Sequence, residues 1–541
     1  MLCVKLFSQP SSNFAFPLDS PYYFTANYGE LRPNHFHAGM DFATGGQINL
    51  PVYAAEEGYV SRVKISSTGY GKCVYITHPN NKVTVYAHLN SFALKLDKAI
   101  KQVQYEQQSF EVEFFPNINL LSVRKGEIIG MSGNTGGSTG PHLHFEIRDK
   151  VTEVPNNPLL FLKIRDHVKP NVSHFGFYNL TDTTRPKLLK SLPVKYLYED
   201  SLEAMSETVF LKSSILGFAF SGIDRFTEGG SPNNIFSAKL YLDNRLIYGH
   251  QLNNISFDDT RYINEYTENM SGVTYQKCFA STVYPKEFQT NCINRGRIII
   301  KDLKFHILKL IVADEVGNER KFWLKIKINN LTFYERPSIK SDMYVNCSKI
   351  FMVKKKGVFL KISANTLFYS TPLILENTIE SSGKLIILPS EAQLRIPITV
   401  GFKVPKKHIA QKKLLVLKND KLTYVATIKN DSAYFAVKQL GWFQLSTDDA
   451  NPIARVVSPL YKTKGLSQIN ALSFNIVDRG SGIAKYKLFL NNKWVLAEYD
   501  AKNDLLTYSF DEDTPFGSIQ IRLEVEDKVG NQTLLEENFY R

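Results

Sequence analysis

Cysteine is scarce. The five present (Cys3, Cys73, Cys278, Cys292, Cys347) form no CxxC pair, which excludes a cysteine-based zinc site and a dithiol redox motif. Cys278 and Cys292 could still form a disulfide if the chain is exported. No apolar run approaches the ~18 residues of a membrane-spanning helix, so no transmembrane segment is expected. The start, "MLCVKLFSQPSSNF", lacks the apolar core of about 7 to 15 residues that a signal peptide carries. No signal peptide is therefore evident. Charged residues make up only 22% of the chain, and 65 Lys+Arg against 52 Asp+Glu leave +13. That excess favours anionic surroundings: nucleic acid, an acidic cell-wall polymer or a charged membrane face. The basic runs "VKKKG" and "PKKHIAQKK" lie among strand-like segments without the shape of a nucleic-acid module, so no nucleic acid is expected as a partner.

What is present is a chain of 541 residues, 43% hydrophobic and 12% aromatic. It is too long for one core and rich enough for about three or four. Six of the 11 histidines (His35, His37, His78, His88, His142, His144) precede residue 150. "NHFHAGMDFATGG" (34–46) sets His37 four residues before Asp41, ahead of a Gly-Gly turn. "GNTGGSTGPHLHFEIRD" (133–149) is a glycine-rich loop followed by strand-like alternation. There His142, His144 and Glu146 share one face, and Leu143, Phe145 and Ile147 the other. In "KVTVYAHLNSF" (82–92) alternation puts Val83, Val85 and Ala87 on one face and Thr84, Tyr86 and His88 on the opposite one.

A hydrolytic zinc ion takes three imidazole or carboxylate ligands and leaves a fourth position for water. His37, Asp41 and His144 supply such a set for one ion, and His88 and His142 are left beside the open position. Bound water then becomes the nucleophile, its pKa lowered from 15.7 towards ~7. HExxH occurs nowhere, so the glutamate base of that class is missing and histidine is the expected acid or base. Which of His88 and His142 takes the proton stays open. His35 is expected to be exposed or to sit behind the ligands, and His78 to belong to the "PNN" hairpin turn.

"HAGMD", "VYAHL" and "GGSTGPHLHFEIRD", in that order, resemble the three signatures of the lysostaphin-type zinc endopeptidases. The resemblance implies His37, Asp41 and His144 as zinc ligands and His88 and His142 as the catalytic pair. It extends to "LPVYAAEEGYVSRV", "GYGKCVYITH" and "LLSVRKGEIIGMSG", which look like the family's barrel hairpins and central strands. It implies a zinc endopeptidase that cuts peptide cross-links of bacterial peptidoglycan. One departure is a longer insert after His88, "SFALKLDKAIKQVQYEQQSFEVEFFPN". It carries helical spacing (Leu96, Ile100, Val103) and then a strand, and could wall the cleft or be a packing elaboration.

Beyond "NNPLLFLKI" the text turns to short alternating strands with Asn, Asp and Gly turns, the pattern of β-sandwiches. A weak repeat runs through it. "FSGIDRFTEGG", "SAKLYLDNRLIY" and "LIVADEVGNERKFWLKI" are echoed by "VDRGSGIAKYKLFLNNKWV" and "LEVEDKVGNQTLLEE", each copy closing on D-x-V-G-N. The expected class is mainly β. Residues 1–160 form a lysostaphin-type β-sheet/barrel-hybrid domain, 161–335 an Ig-like β-sandwich with a polar insert at 252–292, 336–450 a β-rich domain bounded by "ERPSIKS" and "DDANP", and 451–541 a second Ig-like sandwich. The expected location is the cell envelope, periplasmic or secreted, with export from an upstream start or a removed leader. An anionic envelope polymer is a possible second partner. The later domains are expected to position the enzyme without taking part in chemistry. The rival readings are a catalytically inactive relative that binds the wall and activates other hydrolases, and a β-sandwich adhesin.

Overall fold

The computed structural model describes residues 14–19, 23–118, 120–181, 186–194, 203–204, 208–285, 288–329, 341, 343–355, 357–379, 383–404, 414–418, 422–457 and 470–541. Cys3, the basic run 405–413 and most of the boundary 335–341 lie outside them. Nearly every element is a strand, as the alternating text requires.

In the first part of the chain seven strands form one antiparallel sheet. Its order is Phe24–Ala26, Met40–Ala43, His142–Asp149, Lys82–Leu89, Lys72–Thr77, Gly58–Ile65 and Val112–Phe114. Ser122–Val123 and Pro155–Asn156 pair alongside. A three-stranded sheet of Pro51–Tyr53, Ile128–Met131 and Ser91–Phe92 lies beside it. Leu143, Phe145 and Ile147 are fully buried in one core with Met40, Phe42 and Tyr86. His144 and Glu146 therefore emerge on the opposite face, because successive strand side chains alternate.

The departure after His88 folds as its spacing predicts: a helix, Leu94–Gln107, burying Leu96 and Ile100, then the strand Val112–Phe114 against Gly58–Ile65. Among its neighbours is the C-terminal part of the chain. Tyr105 meets Trp494 edge-on with ring centroids 5.1 Å apart, and Lys101 pairs with Asp511 at 3.3 Å.

The remainder is three pairs of sheets. Strands between Asn171 and Ile328 make a six-stranded and a seven-stranded sheet around Phe175, Phe218, Phe220, Leu308 and Leu324. Those between Met343 and Thr447 make six- and five-stranded sheets with a separate core. Those from Ile453 onwards make two four-stranded sheets. The repeated "DN" and "NN" turns have the same backbone, φ 47° and 66° at Asp243 and Asn244 and again at Asn491 and Asn492. This left-handed pair is the turn that matches strand twist in a two-residue hairpin.

Two features tie these parts together. The first core is continuous with that of the last sandwich, through Leu472, Leu488, Leu506 and Ile521. The segment 252–292, read from sequence as an insert, is a hub: Tyr262, Tyr266 and Phe288 pack against Tyr28 and Phe36 on one side and Phe368 on the other. Cys278 and Cys292 are both free thiols. Cys278 follows the strand Val273–Lys277 of the six-stranded sheet, while Cys292 ends a strand of the seven-stranded one.

Candidate metal centre

Met40–Ala43 and His142–Asp149 are antiparallel neighbours whose register sets Asp41 directly opposite His144, and His144 in turn opposite Ala87. His37 enters from the preceding loop. That loop passes so close beneath the sheet that a Cβ on Gly39 would stand 2.3 Å from the Phe145 carbonyl oxygen. A glycine between His37 and Asp41 is thus a packing requirement.

The three expected ligands converge. His37 Nε2 lies 2.9 Å from His144 Nδ1, His144 Nδ1 lies 2.9 Å from Asp41 Oδ1, and His37 Nε2 lies 3.1 Å from that same oxygen. All three residues are buried. Their remaining polar atoms are occupied. His37 Nδ1 meets the Asn27 carbonyl at 2.8 Å, His144 Nε2 meets Glu146 Oε1 at 2.8 Å, and the second Asp41 oxygen accepts from Arg32 Nη2.

Behind His144 the alternation continues. Glu146 is fully buried and accepts from Arg148 Nε at 2.5 Å and from the Tyr70 hydroxyl at 2.5 Å, and the Tyr70 ring stacks on His144 with centroids 5.3 Å apart. Burial would lower the His144 pKa, but hydrogen bonds and charge from Asp41 and Glu146 push it up to about 9. Burial would raise Glu146, yet Arg148 and His144 hold it down to about 2. Asp41 is held well below the usual carboxylate range despite its burial, chiefly by His37 and His144.

His88 reaches this group by a route that simple alternation misses. Tyr86 and Thr84 point to the core side, so regular spacing would place His88 there too. Instead Cys73 stands across from both Ala87 and His88, because the register shifts between Lys72 paired with Leu89 and Val74 paired with Tyr86. His88 adopts φ 60° at this bulge. The bulge turns its ring onto the Ala87 face, 4.7 Å from the ring of His142 and 5.9 Å from that of His144. Burial, then the neighbouring His144 and His142, lowers the His88 pKa to about 3, so the ring is neutral.

The glycine-rich loop fixes both outer histidines. His88 Nδ1 lies 2.8 Å from the Thr135 carbonyl and His142 Nδ1 lies 2.8 Å from that of Gly140. The loop can sit there because Gly136 and Gly71, both at positive φ, touch backbone to backbone: a Cβ on Gly136 would lie 2.3 Å from the Gly71 nitrogen. An imidazole whose Nδ1–H is given to a carbonyl carries, in its neutral form, its lone pair on Nε2. His142 Nε2 is 3.6 Å from Asp41 Oδ1.

His35 is exposed and bonds the Pro33 carbonyl. His78 is buried in its hairpin, tied to the Glu57 carbonyl and to Thr84 Oγ1, each at 2.7 Å. Sequence reading missed Asn27, Arg32, Tyr70 and Arg148. Only Arg148 carried a signal, as the next residue on the face of His144 and Glu146.

Residues 35–105 and 121–158 match the model of Peptidase family M23. The chain is 37% identical over 123 residues to the DD-carboxypeptidase/endopeptidase Mpg of Neisseria meningitidis, covering 23% of this chain and 22% of that protein. It is 30% identical over 138 residues to the peptidoglycan DD-endopeptidase ShyA of Vibrio cholerae, covering 24% of this chain and 26% of that protein. The chain thus spans about a fifth to a quarter of the length of these curated relatives. Among solved structures, the catalytic domain of the prophage-encoded M23 protein EnpA of Enterococcus faecalis is similar at 29% identity, covering 25% of this chain and 87% of that one, with a TM-score of 0.19.

Proposed function

We propose, from the match of residues 35–105 and 121–158 to Peptidase family M23, that the protein is a zinc metalloendopeptidase that cleaves the peptide cross-links of bacterial peptidoglycan. The observation that carries this is the buried triangle of His37 Nε2, Asp41 Oδ1 and His144 Nδ1. Two imidazole nitrogens and one carboxylate oxygen are a hydrolytic zinc set, and tetrahedral ligands at about 2.0–2.1 Å from zinc stand a little over 3 Å from one another. The spacing present therefore accepts the ion with small movements. The outer tethers of His37 and His144 are the partners that orient imidazole ligands.

Held there, zinc supplies Lewis acidity to water and to the scissile carbonyl. The chain's own residues do the rest. His88 and His142, each anchored through Nδ1, present Nε2 to the open side of the triangle. One takes the proton of the attacking water, and the other stabilises the developing oxyanion or protonates the leaving amine. Arg32 and Glu146 hold Asp41 and His144 in place. Peptidoglycan lies outside the cytoplasmic membrane, so the site of action is the cell envelope. No helix among the described residues is long and apolar enough to cross a membrane.

The test is digestion of purified peptidoglycan with mass analysis of the released peptides. Wild-type protein should split cross-linked species, and His144→Ala should neither retain metal nor release them. His88→Ala and His142→Ala should keep one zinc per chain but lose turnover by about 100- to 10,000-fold, the usual contribution of a general acid or base. Full zinc occupancy in the His144 variant removes that residue from the ligand set. Wild-type rates in either of the others make that histidine a bystander.

A further inference from the structure

The two D-x-V-G-N turns of the repeat each gather three carboxylates. Asp166, Asp224 and Asp314 meet in the first sandwich, and Asp448, Asp478 and Asp527 in the last, with ligand oxygens within 4.8 Å of one another in each group. The turns are built alike. Asp314 accepts from the amides of Val316, Gly317 and Asn318, and Asp527 from those of Val529 and Asn531. The Asn318 and Asn531 side chains then reach the Asp166 and Asp448 carbonyls.

The two groups differ at the third carboxylate. In the last sandwich Asp448 accepts the Ser481 amide at 2.7 Å, and Asp478, partly exposed, accepts the Gly482 amide at 2.6 Å. In the first sandwich Asp224 is only 1% exposed, and among the described residues neither of its oxygens makes a hydrogen bond of normal geometry. No ion pair among the described residues involves Asp166, Asp224 or Asp314. The buried Asn233 Oδ1 also lacks a donor, and Asn233 and Asp224 face each other across a two-way backbone bridge at 2.8 and 2.9 Å.

The geometry points to a calcium site: Asp224, Asp166 and Asp314 together bind one hard divalent cation, with Asn233 Oδ1 as a further oxygen. An isolated buried carboxylate is costly and needs either a proton or a cation. Burial, then the charges of Glu315, Asp314 and Asp166, drives the Asp224 pKa up to about 8, with the Arg225 amide offsetting little of this. The ligands are all oxygen, which excludes the nitrogen and sulfur preferences of zinc and copper. An irregular carboxylate-rich cage suits calcium, which takes 6–8 oxygens, better than magnesium, which demands a tight octahedron.

The position gives the cation work to do. Next to Asn233, Asn234 is bonded both ways to Asn27, whose carbonyl holds His37 Nδ1. Glu315, next to Asp314, accepts from Asn157 at the end of the first domain. The cation would fasten the joint between that domain and the first sandwich.

Calcium titration by calorimetry, on the full chain with its peptidase metal in place and in buffer stripped of divalent ions, tests the site. Wild type should take up calcium and melt at rising temperature as calcium increases. Asp224→Asn should bind one calcium fewer and lose that thermal shift, while Asp478→Asn keeps both. Without calcium, Asp224→Asn should melt at or above the wild-type temperature, because it replaces a buried carboxyl group whose oxygens lack hydrogen-bond partners. No calcium uptake by the wild type overturns the site whatever the variants do, and so does unchanged uptake by Asp224→Asn. Neither outcome bears on the zinc centre, which is read separately by metal analysis.

Discussion

At the scale of single residues, the strongest dependence outside the five motif residues falls on Glu146. It is fully buried between His144 and Arg148 and receives hydrogen bonds from both and from Tyr70. Glu146→Gln keeps the shape but removes the charge that fixes the His144 tautomer, and it leaves Arg148 buried without its partner. Zinc affinity should fall by about 10- to 100-fold, the usual effect of losing a partner behind a metal ligand. Competition with a chromophoric chelator measures it, and an unchanged affinity would show that Asp41 and His37 alone set the geometry. His37, Asp41, His88, His142 and His144 could be picked out in the sequence because each lies in a short, unusual run of residue types. Asn27, Arg32 and Tyr70 could not. Asn27 touches the centre through a backbone carbonyl, which carries no residue signature, and Tyr70 meets Glu146 from 76 residues away.

At the scale of elements, the period-two pattern settled most of the architecture, since one alternating strand both fills a core and displays a ligand. It failed at His88, where one extra residue in the strand reverses the face of the side chain. Nothing in "VYAHLN" announces that bulge, because it arises from pairing with Lys72–Thr77 and from the Tyr70 carbonyl that accepts the His88 amide at 2.9 Å. The hub role of 252–292 was hidden for a similar reason: its aromatic residues pack on three distant segments. The close pass of 37–41 beneath the sheet yields a test at this scale. Gly39→Ala places a methyl group 2.3 Å from backbone that belongs to the central strand, so the loop carrying His37 must move. The expected cost is about 1–3 kcal/mol, as for other overpacked sites, with weaker zinc retention than wild type. A melting temperature and zinc content equal to wild type would mean that the loop has slack the structure does not show.

At the scale of the whole molecule, the sequence suggests a catalytic head followed by spacers, because strand patterns reveal units and not what they pack against. The contacts argue for a closer dependence. The last sandwich shares a buried core with the first domain and sends charged side chains to the glycine-rich loop and to Lys72. Lys502 Nζ donates to the carbonyls of Asn134 and Ser138, on the loop whose Thr135 and Gly140 carbonyls hold His88 and His142. Glu498 pairs with Lys72 at 2.8 Å, and Trp494 covers Tyr105 on the inserted helix. A chain ended at residue 450 exposes that apolar surface and frees the loop. It should melt well below the full chain and lose cleavage of small soluble cross-link peptides as well as of whole sacculi. Lys502→Ala in the full chain separates the two effects: an exposed lysine adds little to stability, so this variant should keep its melting temperature and zinc while kcat falls. If the shortened chain folds and cleaves small peptides at the full rate, the last sandwich is a spacer after all, and its contacts with the loop serve only to hold the two parts together.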